Sequence, residues 1–312
     1  MRILVTGGAG FIGSHTVDAL VAAGAHQVDV IDNLAAGRRD NLNPGARFHE
    51  ADLRDAGRVR EIAASHRPEA IVHFAAQMDV RRSVADPAFD AQVNLVGFLN
   101  LIEAARPHGL RRVVFASTGG AIYGEQDFFP ADEGHPCRPV SPYGVAKLAT
   151  ESYLHFYKVQ YGIEYAAMRY ANVYGPRQDP QGEAGVVAIF CARLLEGRPA
   201  TIFGDGEQTR DYVYVGDVVR ANVAALTAAA GGPINIGTGV ETSVNRLYRR
   251  LAEIAGVSGA PEHAAARPGE QMRSAISAAR AGRELGWRPE VALDDGLRRT
   301  CAYFQERFAR SR

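Results

Sequence analysis

The sequence predicts an α/β fold, a doubly wound parallel sheet with a smaller, partly interleaved C-terminal lobe. Three observations carry that prediction: β-branched runs alternate with apolar segments of helical spacing as far as Asn172, glycines crowd the first strand-to-helix turn, and an aspartate closes the second strand. Ile3 to Thr6 is a short apolar run ended by glycines; Ile12, Val17, Leu20 and Val21 follow with helical spacing, and Val28, Val30 and Ile31 form the next strand. The alternation then predicts strands at Arg47 to Glu50, Ala70 to Phe74, Arg112 to Ala116 and Glu164 to Met168, and helices at Arg54 to Ser65, Ala88 to Arg106 and Tyr143 to Tyr161. Strands separated by helices of this length pair in parallel through right-handed crossovers, with both faces of the sheet covered. After Asn172 the texture changes to Gly- and Pro-rich segments, Gly175-Pro176-Arg177, Gly204-Asp205-Gly206 and Arg267-Pro268-Gly269, between shorter elements. Residues 1–172 are therefore read as the first domain and 173–312 as mainly the second. A helix near Val218 to Ala228 and a strand Ile234 to Ile236 allow residues from about 213 to 240 to return to the first.

Of 312 residues 46% are apolar and 22% charged, enough for one large domain or two modest ones. Lys and Arg number 35, as do Asp and Glu, so there is no basic field to draw the chain to nucleic acid or to a membrane surface. Cys137, Cys191 and Cys301 are far apart and lack ligand spacing, which argues against a disulfide framework or a bound metal and fits a reducing cytoplasm. The opening apolar run is too short for a signal peptide, and no stretch approaches the ~20 apolar residues that span a bilayer.

Gly7-Gly8-Ala9-Gly10-Phe11-Ile12-Gly13 sits where the first strand turns into a helix, the Rossmann-type position for a dinucleotide. Missing side chains let the amides of the helix N-terminus approach a pyrophosphate, where free N–H groups and the helix dipole favour negative charge. Asp32 stands 19 residues after Gly13, where a carboxylate accepts hydrogen bonds from the adenosine ribose diol and repels a 2′-phosphate, so NAD is favoured over NADP. Arg38 and Arg39 are read as solvated loop charges rather than phosphate ligands. Asp52-Leu53, after the third strand, is placed either at the adenine edge or in an ordinary strand-end turn.

Ser141-Pro142-Tyr143-Gly144-Val145-Ala146-Lys147 sets a tyrosine four residues before a lysine at a helix start, so both side chains share one face. A phenol with a reference pKa of about 10 is a poor base at neutral pH, but an ammonium ~4–6 Å away at an effective dielectric of about 20 favours the phenolate by a few kcal/mol. Upstream, Ser117-Thr118-Gly119-Gly120-Ala121-Ile122-Tyr123-Gly124 puts hydroxyls at the C-terminal end of a strand, where ligands bind in open α/β sheets.

With these motifs the chain resembles the extended short-chain dehydrogenase/reductases, and within them the UDP-glucose 4-epimerases. Ala75-Ala76, Asn94 with Gly97, Arg169-Tyr170-Ala171-Asn172, Arg210-Asp211-Tyr212-Val213 and Arg267-Pro268-Gly269-Glu270 extend the likeness along essentially the whole sequence. The resemblance implies a UDP-hexose 4-epimerase that oxidises C4 of the sugar to a ketone and returns the hydride to the other face. In that role Tyr143 takes the 4-hydroxyl proton, and Lys147 holds the nicotinamide ribose and keeps the phenolate accessible. It implies NAD contacts from Gly7, Gly10, Phe11, Ile12 and Gly13 in the loop, and from Asp32, Asn33, Asp52 and Leu53 at the adenosine end. Phe74, Ala75, Ala76, Asn94, Tyr143, Lys147 and Tyr170 complete that set. The UDP-sugar side is implied to draw on Val80, Ser117, Thr118, Asn172, Arg210, Arg267, Glu270 and Ser274, the guanidinium forks suiting phosphate oxygens. Relatives pair through the helices placed at Ala88 to Arg106 and Tyr143 to Tyr161, which implies a homodimer.

One departure stands out. The catalytic Ser or Thr of most relatives lies four residues before the Tyr of the Tyr-Gly pair, whereas here Gly119 occupies that place and Thr118 is five before Tyr123. A one-residue glycine bulge restores Thr118 to the catalytic position, with Ser117 in reserve. Related 4,6-dehydratases and nucleotide-sugar decarboxylases carry an acid close after the Thr; here there are glycines, and Glu125 lies beyond the Tyr-Gly pair, which favours epimerisation, with another NAD-dependent nucleotide-sugar enzyme, a uronate 4-epimerase or a dehydratase, as the second reading. A nucleotide-sensing protein without turnover is the reading from another class, and the presence of Tyr143 and Lys147 speaks against it. Ser274, seven residues after Arg267 at the family's gating position, is small and implies room for N-acetylhexosamines beside UDP-glucose and UDP-galactose. His135 and Cys137 are read as loop residues, His73 as a satisfied buried histidine, Tyr170 equally as core, and Trp287 as packing for the C-terminal lobe.

Overall fold

Period-two alternation along the strands sends successive side chains into two apolar layers, one on each face of a parallel sheet. The computed structural model describes residues 1–181, 185–229, 231–266 and 271–310. The chain runs β1 (Arg2–Thr6), α1 (Phe11–Ala22), β2 (Gln27–Asp32), β3 (Arg47–Glu50), α2 (Ala56–His66), β4 (Ala70–His73), α3 (Val80–Ala85), α4 (Pro87–Ala91), α5 (Gly97–Ala105), β5 (Arg112–Thr118), α6 (Gly119–Ile122), α7 (Pro142–Tyr161) and β6 (Glu164–Tyr170). It continues through β7 (Asn172–Tyr174), α8 (Val186–Leu195), β8 (Thr201–Phe203), β9 (Thr209–Tyr214), α9 (Val215–Thr227), β10 (Gly232–Ile236), β11 (Glu241–Ser243), α10 (Val244–Ala255), β12 (Glu262–Ala264), α11 (Ala279–Leu285) and α12 (Leu293–Arg310).

The seven-stranded sheet has the order β10-β6-β5-β4-β1-β2-β3, all parallel. On β1, Ile3 and Val5 enter the layer of α1 and α9 while Leu4 enters that of α2, α5 and α7; on β5, Val114 opposes Val113 and Phe115 in the same way. Each fully buried aliphatic side chain stabilises by roughly 1.5–3 kcal/mol, which is why strand register is tightly specified. The winding direction reverses between β1 and β4, and that reversal opens a crevice beyond their C-terminal ends. The remaining strands form two small sheets, β11-β9-β7 and β12-β8, with α8, α10 and α12 around Phe190, Leu194, Leu247, Leu251, Leu297 and Phe304. β10 pairs with β6 and α9 packs on α1, so the chain visits the smaller lobe, returns and leaves again. The buried carboxylate of Asp211 ties the crossing points together, accepting from the Thr238 and Gly239 amides at 2.9 Å and the Ile276 amide at 3.3 Å.

Three details differ from the sequence reading. The helix expected over Ala88 to Arg106 is interrupted by a π turn, Gln92–Val96, which carries Asn94 into the interior. Trp287 packs into the core of the large sheet, not the smaller lobe, because the chain returns there and its indole N–H reaches the Asp217 carbonyl at 2.8 Å. Strand β5 runs in unbroken register with β6 as far as Thr118, so the glycines after it form no bulge; they open α6 instead.

Candidate active site

The glycine loop is shaped by close approach. Gly7 has φ +69°, and a Cβ there would lie 2.6 Å from the Ala75 amide, so the loop packs directly on the Phe74–Ala75 backbone at the end of β4. A Cβ on Gly13 would collide with the Gly7 carbonyl. Gly10 caps α1 without a side-chain hydrogen bond, and the first turn holds no acidic residue, leaving N–H groups and the positive helix end for an anion. Phe11 and Ile12 form that first turn.

At the end of β2 the Asp32 carboxylate accepts from the amides of Ala9 (3.0 Å) and Leu34 (2.8 Å). Burial pushes its pKa up and the two amides oppose that shift. Asn33 donates to Asp52 at 2.9 Å, and although Asp52 is partly buried, Arg54 holds it well below the usual carboxylate range. Leu53 lies in the core under Gly97, whose missing side chain lets α5 approach it; a Cβ there would be 3.2 Å from that of Leu53. Arg38 pairs with Asp40 at 3.8 Å and Arg39 with Glu50, so both guanidiniums are engaged at the surface. These features fit NAD: no Cβ obstructs a pyrophosphate, and the charge at the ribose end is a carboxylate.

On α7, Ser141 caps the helix by accepting from the Gly144 amide at 3.2 Å, and Pro142 takes the first turn. Gly144 lets this helix start dock on α6: a Cβ there would be 2.7 Å from the Ala121 carbonyl. Tyr143 is thereby brought beside the segment that follows Thr118. Lys147 is buried, donates to the Ala116 carbonyl at 2.8 Å, and lies 4.8 Å from the Phe115 ring centroid and 5.6 Å from that of Tyr143. Burial lowers its pKa to about 8, with Asp90 and Glu151 acting in the opposite sense. Burial, with Asp90, raises that of Tyr143.

Thr118 is partly exposed at the strand end, and its hydroxyl accepts weakly from the Ala121 amide at 3.3 Å. Ser117 alternates to the interior and donates to Glu151 at 2.6 Å, within a network in which Arg169 grips Glu151 and reaches the Tyr123 hydroxyl at 3.0 Å. Its hydroxyl proton is therefore engaged in the interior, unlike that of Thr118. Tyr170 is likewise 5% exposed with its hydroxyl on Asn222 at 2.6 Å, and Asn94 has both amide hydrogens engaged, on the Gln77 carbonyl and on Asp90. In each of these side chains the polar hydrogens already have partners within the protein. Ala75 and Ala76 line the end of β4, and Val80 is exposed at the start of α3.

Asn172 on β7 and Arg210 on β9 belong to one small sheet, with Asn172 in register with Tyr212. Arg267 and Glu270 lie outside the described residues. Ser274 is buried beside Ala275 and Ile276, and this segment packs against Gly119, where a Cβ would be 2.8 Å from Ile276 Cδ1. His73 is a core histidine: its Nδ1 meets the Thr6 hydroxyl at 2.6 Å, and burial, with Lys147 nearby, lowers its pKa to about 3. His135 is satisfied by the Asp127 amide and the Pro136 carbonyl, and among the described residues no cluster could hold a metal. Asp90 and Gly144 were missed in the sequence; the only signals were an acid on an otherwise apolar helix and a glycine after the tyrosine.

A family model described as the NAD dependent epimerase/dehydratase family matches residues 3–237. The chain belongs to the NAD-dependent epimerase/dehydratase family. It is 48% identical to a UDP-glucose 4-epimerase of Mycolicibacterium smegmatis, over 98% of this chain and 99% of the relative. Among solved structures it is similar to a UDP-glucose 4-epimerase of Thermotoga maritima with UDP-glucose, at 49% identity and TM-score 0.97, covering 99% of this chain and all of that one. The Thermus thermophilus UDP-glucose 4-epimerase, solved with NAD, superposes with TM-score 0.93 at 48% identity, over 98% of this chain and 99% of that one.

Proposed function

We propose that the protein interconverts UDP-glucose and UDP-galactose by inverting C4, with NAD held in the crevice between β1 and β4. The observation that carries this reading is the start of α7, where Gly144 docks the helix on Ala121, three residues after Thr118, and Lys147, 5.6 Å from the Tyr143 ring centroid, donates to the Ala116 carbonyl. Bound NAD supplies a reversible hydride acceptor for C4. Tyr143 accepts the proton of the 4-hydroxyl and returns it; the Lys147 cation favours the phenolate; Thr118 donates a hydrogen bond to the same sugar oxygen and orients it. Asn172 and Arg210 anchor the diphosphate on a sheet of the smaller lobe, with Arg267 and Glu270 assigned to the same side, so the hexose can turn over while the nucleotide stays in place.

Dehydration is disfavoured because the two residues after Thr118 are glycines, Gly119 packing against Ile276, and Glu125 is exposed, so the segment after Thr118 offers no acid to C5 and C6. The small, buried Ser274 supports tolerance of N-acetylhexosamines. A homodimer is supported by Val145, Tyr153, Phe156 and Val159, exposed along α7, and by a groove of about 560 Å³ between α4 and α7. Three free cysteines suit the reducing cytoplasm, and no helix among the described residues is long and apolar enough to cross a membrane.

The test is NMR of anomeric protons with NAD and a panel of UDP and dTDP sugars. Interconversion at C4 supports the proposal; a 6-deoxy-4-keto product, or binding without product, overturns it. UDP-GalNAc left untouched while UDP-galactose turns over refutes the size argument at Ser274.

A further inference from the structure

Where α4 faces the first turns of α7, which carry Tyr143 and Lys147, Asp90 lines a groove with Ser141, Pro142 and Ala146 and has no part in the reaction as described. Asp90, on α4, is 1% exposed. Its Oδ1 accepts from the Gln77 side-chain amide at 3.0 Å and from Asn94 at 2.9 Å, while Oδ2 has no hydrogen-bond partner. An unpartnered carboxylate oxygen in the interior is costly, and a site of this kind persists where the charge serves a nearby group. The π turn that follows α4 brings Asn94 into line with Asp90, and the same asparagine accepts from the Gln77 backbone amide at 2.8 Å, so two mutually bonded residues hold the carboxylate where α4 faces Ser141, Pro142 and Ala146 at the start of α7.

We propose that Asp90 is a positioning residue of this site, whose buried charge, fixed by Gln77 and Asn94, sets the proton balance of Tyr143 and Lys147. The inference rests on that pair being the proton carrier proposed above. Both groups feel Asp90, which favours their protonated forms. Lys147 remains a cation in a site that burial otherwise pushes toward neutrality, and the tyrosine is not driven so far toward phenolate that it cannot give its proton back.

Among the described residues, Asp90 is the carboxylate that acts on both members of the pair; Glu151 acts on Lys147 in the same sense. Glu151, one turn further along α7, is neutralised by Arg169 of β6 at 2.6 Å, and Arg169 also engages Tyr123. His73 of β4 is bonded to Thr6. Arg82 of α3 stacks on Phe89 at 4.3 Å, its neighbour Arg81 also has a partner, and Glu103 meets Tyr157 and Arg106 at the far end of α7. Arg112 lies at the opposite end of β5, on the Ala225 carbonyl.

Asp90→Asn keeps an acceptor for both amides and removes the charge. In the NAD-loaded enzyme, the acidic and alkaline limbs of the kcat/KM profile are both expected to move to lower pH, by roughly one pH unit. Limbs that stay in place while kcat or thermal stability falls at every pH assign Asp90 a structural role only and overturn the proposal. Should the asparagine variant not fold, Asp90→Ser carries the same expectation, and failure of both to fold also counts against it. Tyr143→Phe measured in parallel separates the two readings. Turnover lost in that variant with unmoved limbs in Asp90→Asn sinks only the role of Asp90, whereas full turnover in Tyr143→Phe sinks the site itself.

Discussion

At the residue scale the site is built from contacts that decide between neighbours of like chemistry. Thr118 and Ser117 carry the same group one residue apart, yet strand alternation gives one to the crevice and the other to Glu151. Thr118→Ala is therefore expected to lower kcat, while Ser117→Ala acts chiefly on stability, by about 1–3 kcal/mol, because it strips a donor from a buried carboxylate; steady-state kinetics and thermal melts of the two variants check this. Tyr143→Phe is expected to cut turnover at least about a hundredfold and to leave NAD binding in place. The pH dependence follows from Lys147, whose pKa lies near 8 in the structure. Below that pH the ammonium is present and assists the phenolate; above it the charge is lost, so kcat/KM is expected to decline on the alkaline side. The Tyr-x-x-x-Lys spacing was legible because a helix start puts both side chains on one face, and it was read as a site only beside the upstream Ser117-Thr118 strand end. Asp90 was not, because nothing in a run of apolar residues shows that an acid among them will be buried under the catalytic helix.

At the element scale, capping and close approach fix where helices begin. Ser141→Ala removes the hydroxyl that accepts from Gly144 and is expected to cost about 1 kcal/mol in a denaturant titration. Gly13→Ala forces a methyl into the Gly7 carbonyl, so the loop must open; the rise in Tm that NAD gives the parent is expected to vanish. Next to the edge strand β3, Asp29 of β2 gathers Arg47, His49 and His66 at 2.6–3.0 Å. Burial raises its pKa, but these partners hold it well below the usual range. A depressed carboxylate pKa contributes stability that is present above the unfolded value of about 3.9 and is lost as pH falls below it, so acid melts of Asp29→Asn should lose part of that slope. Strand and helix identities were legible from periodicity, and their ends fell within a few residues. The π turn at Gln92–Val96 and the path of Trp287 were not, because both depend on partners distant in sequence, Gln77 for the one and Asp217 for the other.

For the whole molecule, the sheet reversal between β1 and β4 and the return of β10 to its edge bring two lobes to one crevice. The dinucleotide lobe was legible because its signals are local. The smaller lobe was legible as a change of texture after Asn172, but its internal pairing was not: its strands are three to six residues long and pair across wide gaps, as β9 does with both β7 and β11. Assembly is expected through α7, and Phe156→Glu, a charge on its apolar stripe, should give a monomer by light scattering at concentrations where the parent is a dimer. The central claim is that the hydrogen leaving C4 of the sugar comes back to the same carbon. UDP-glucose deuterated at C4, incubated with the NAD-loaded protein in ordinary water, is predicted to give UDP-galactose that keeps its deuterium at C4. Product carrying hydrogen from solvent at that carbon would contradict it.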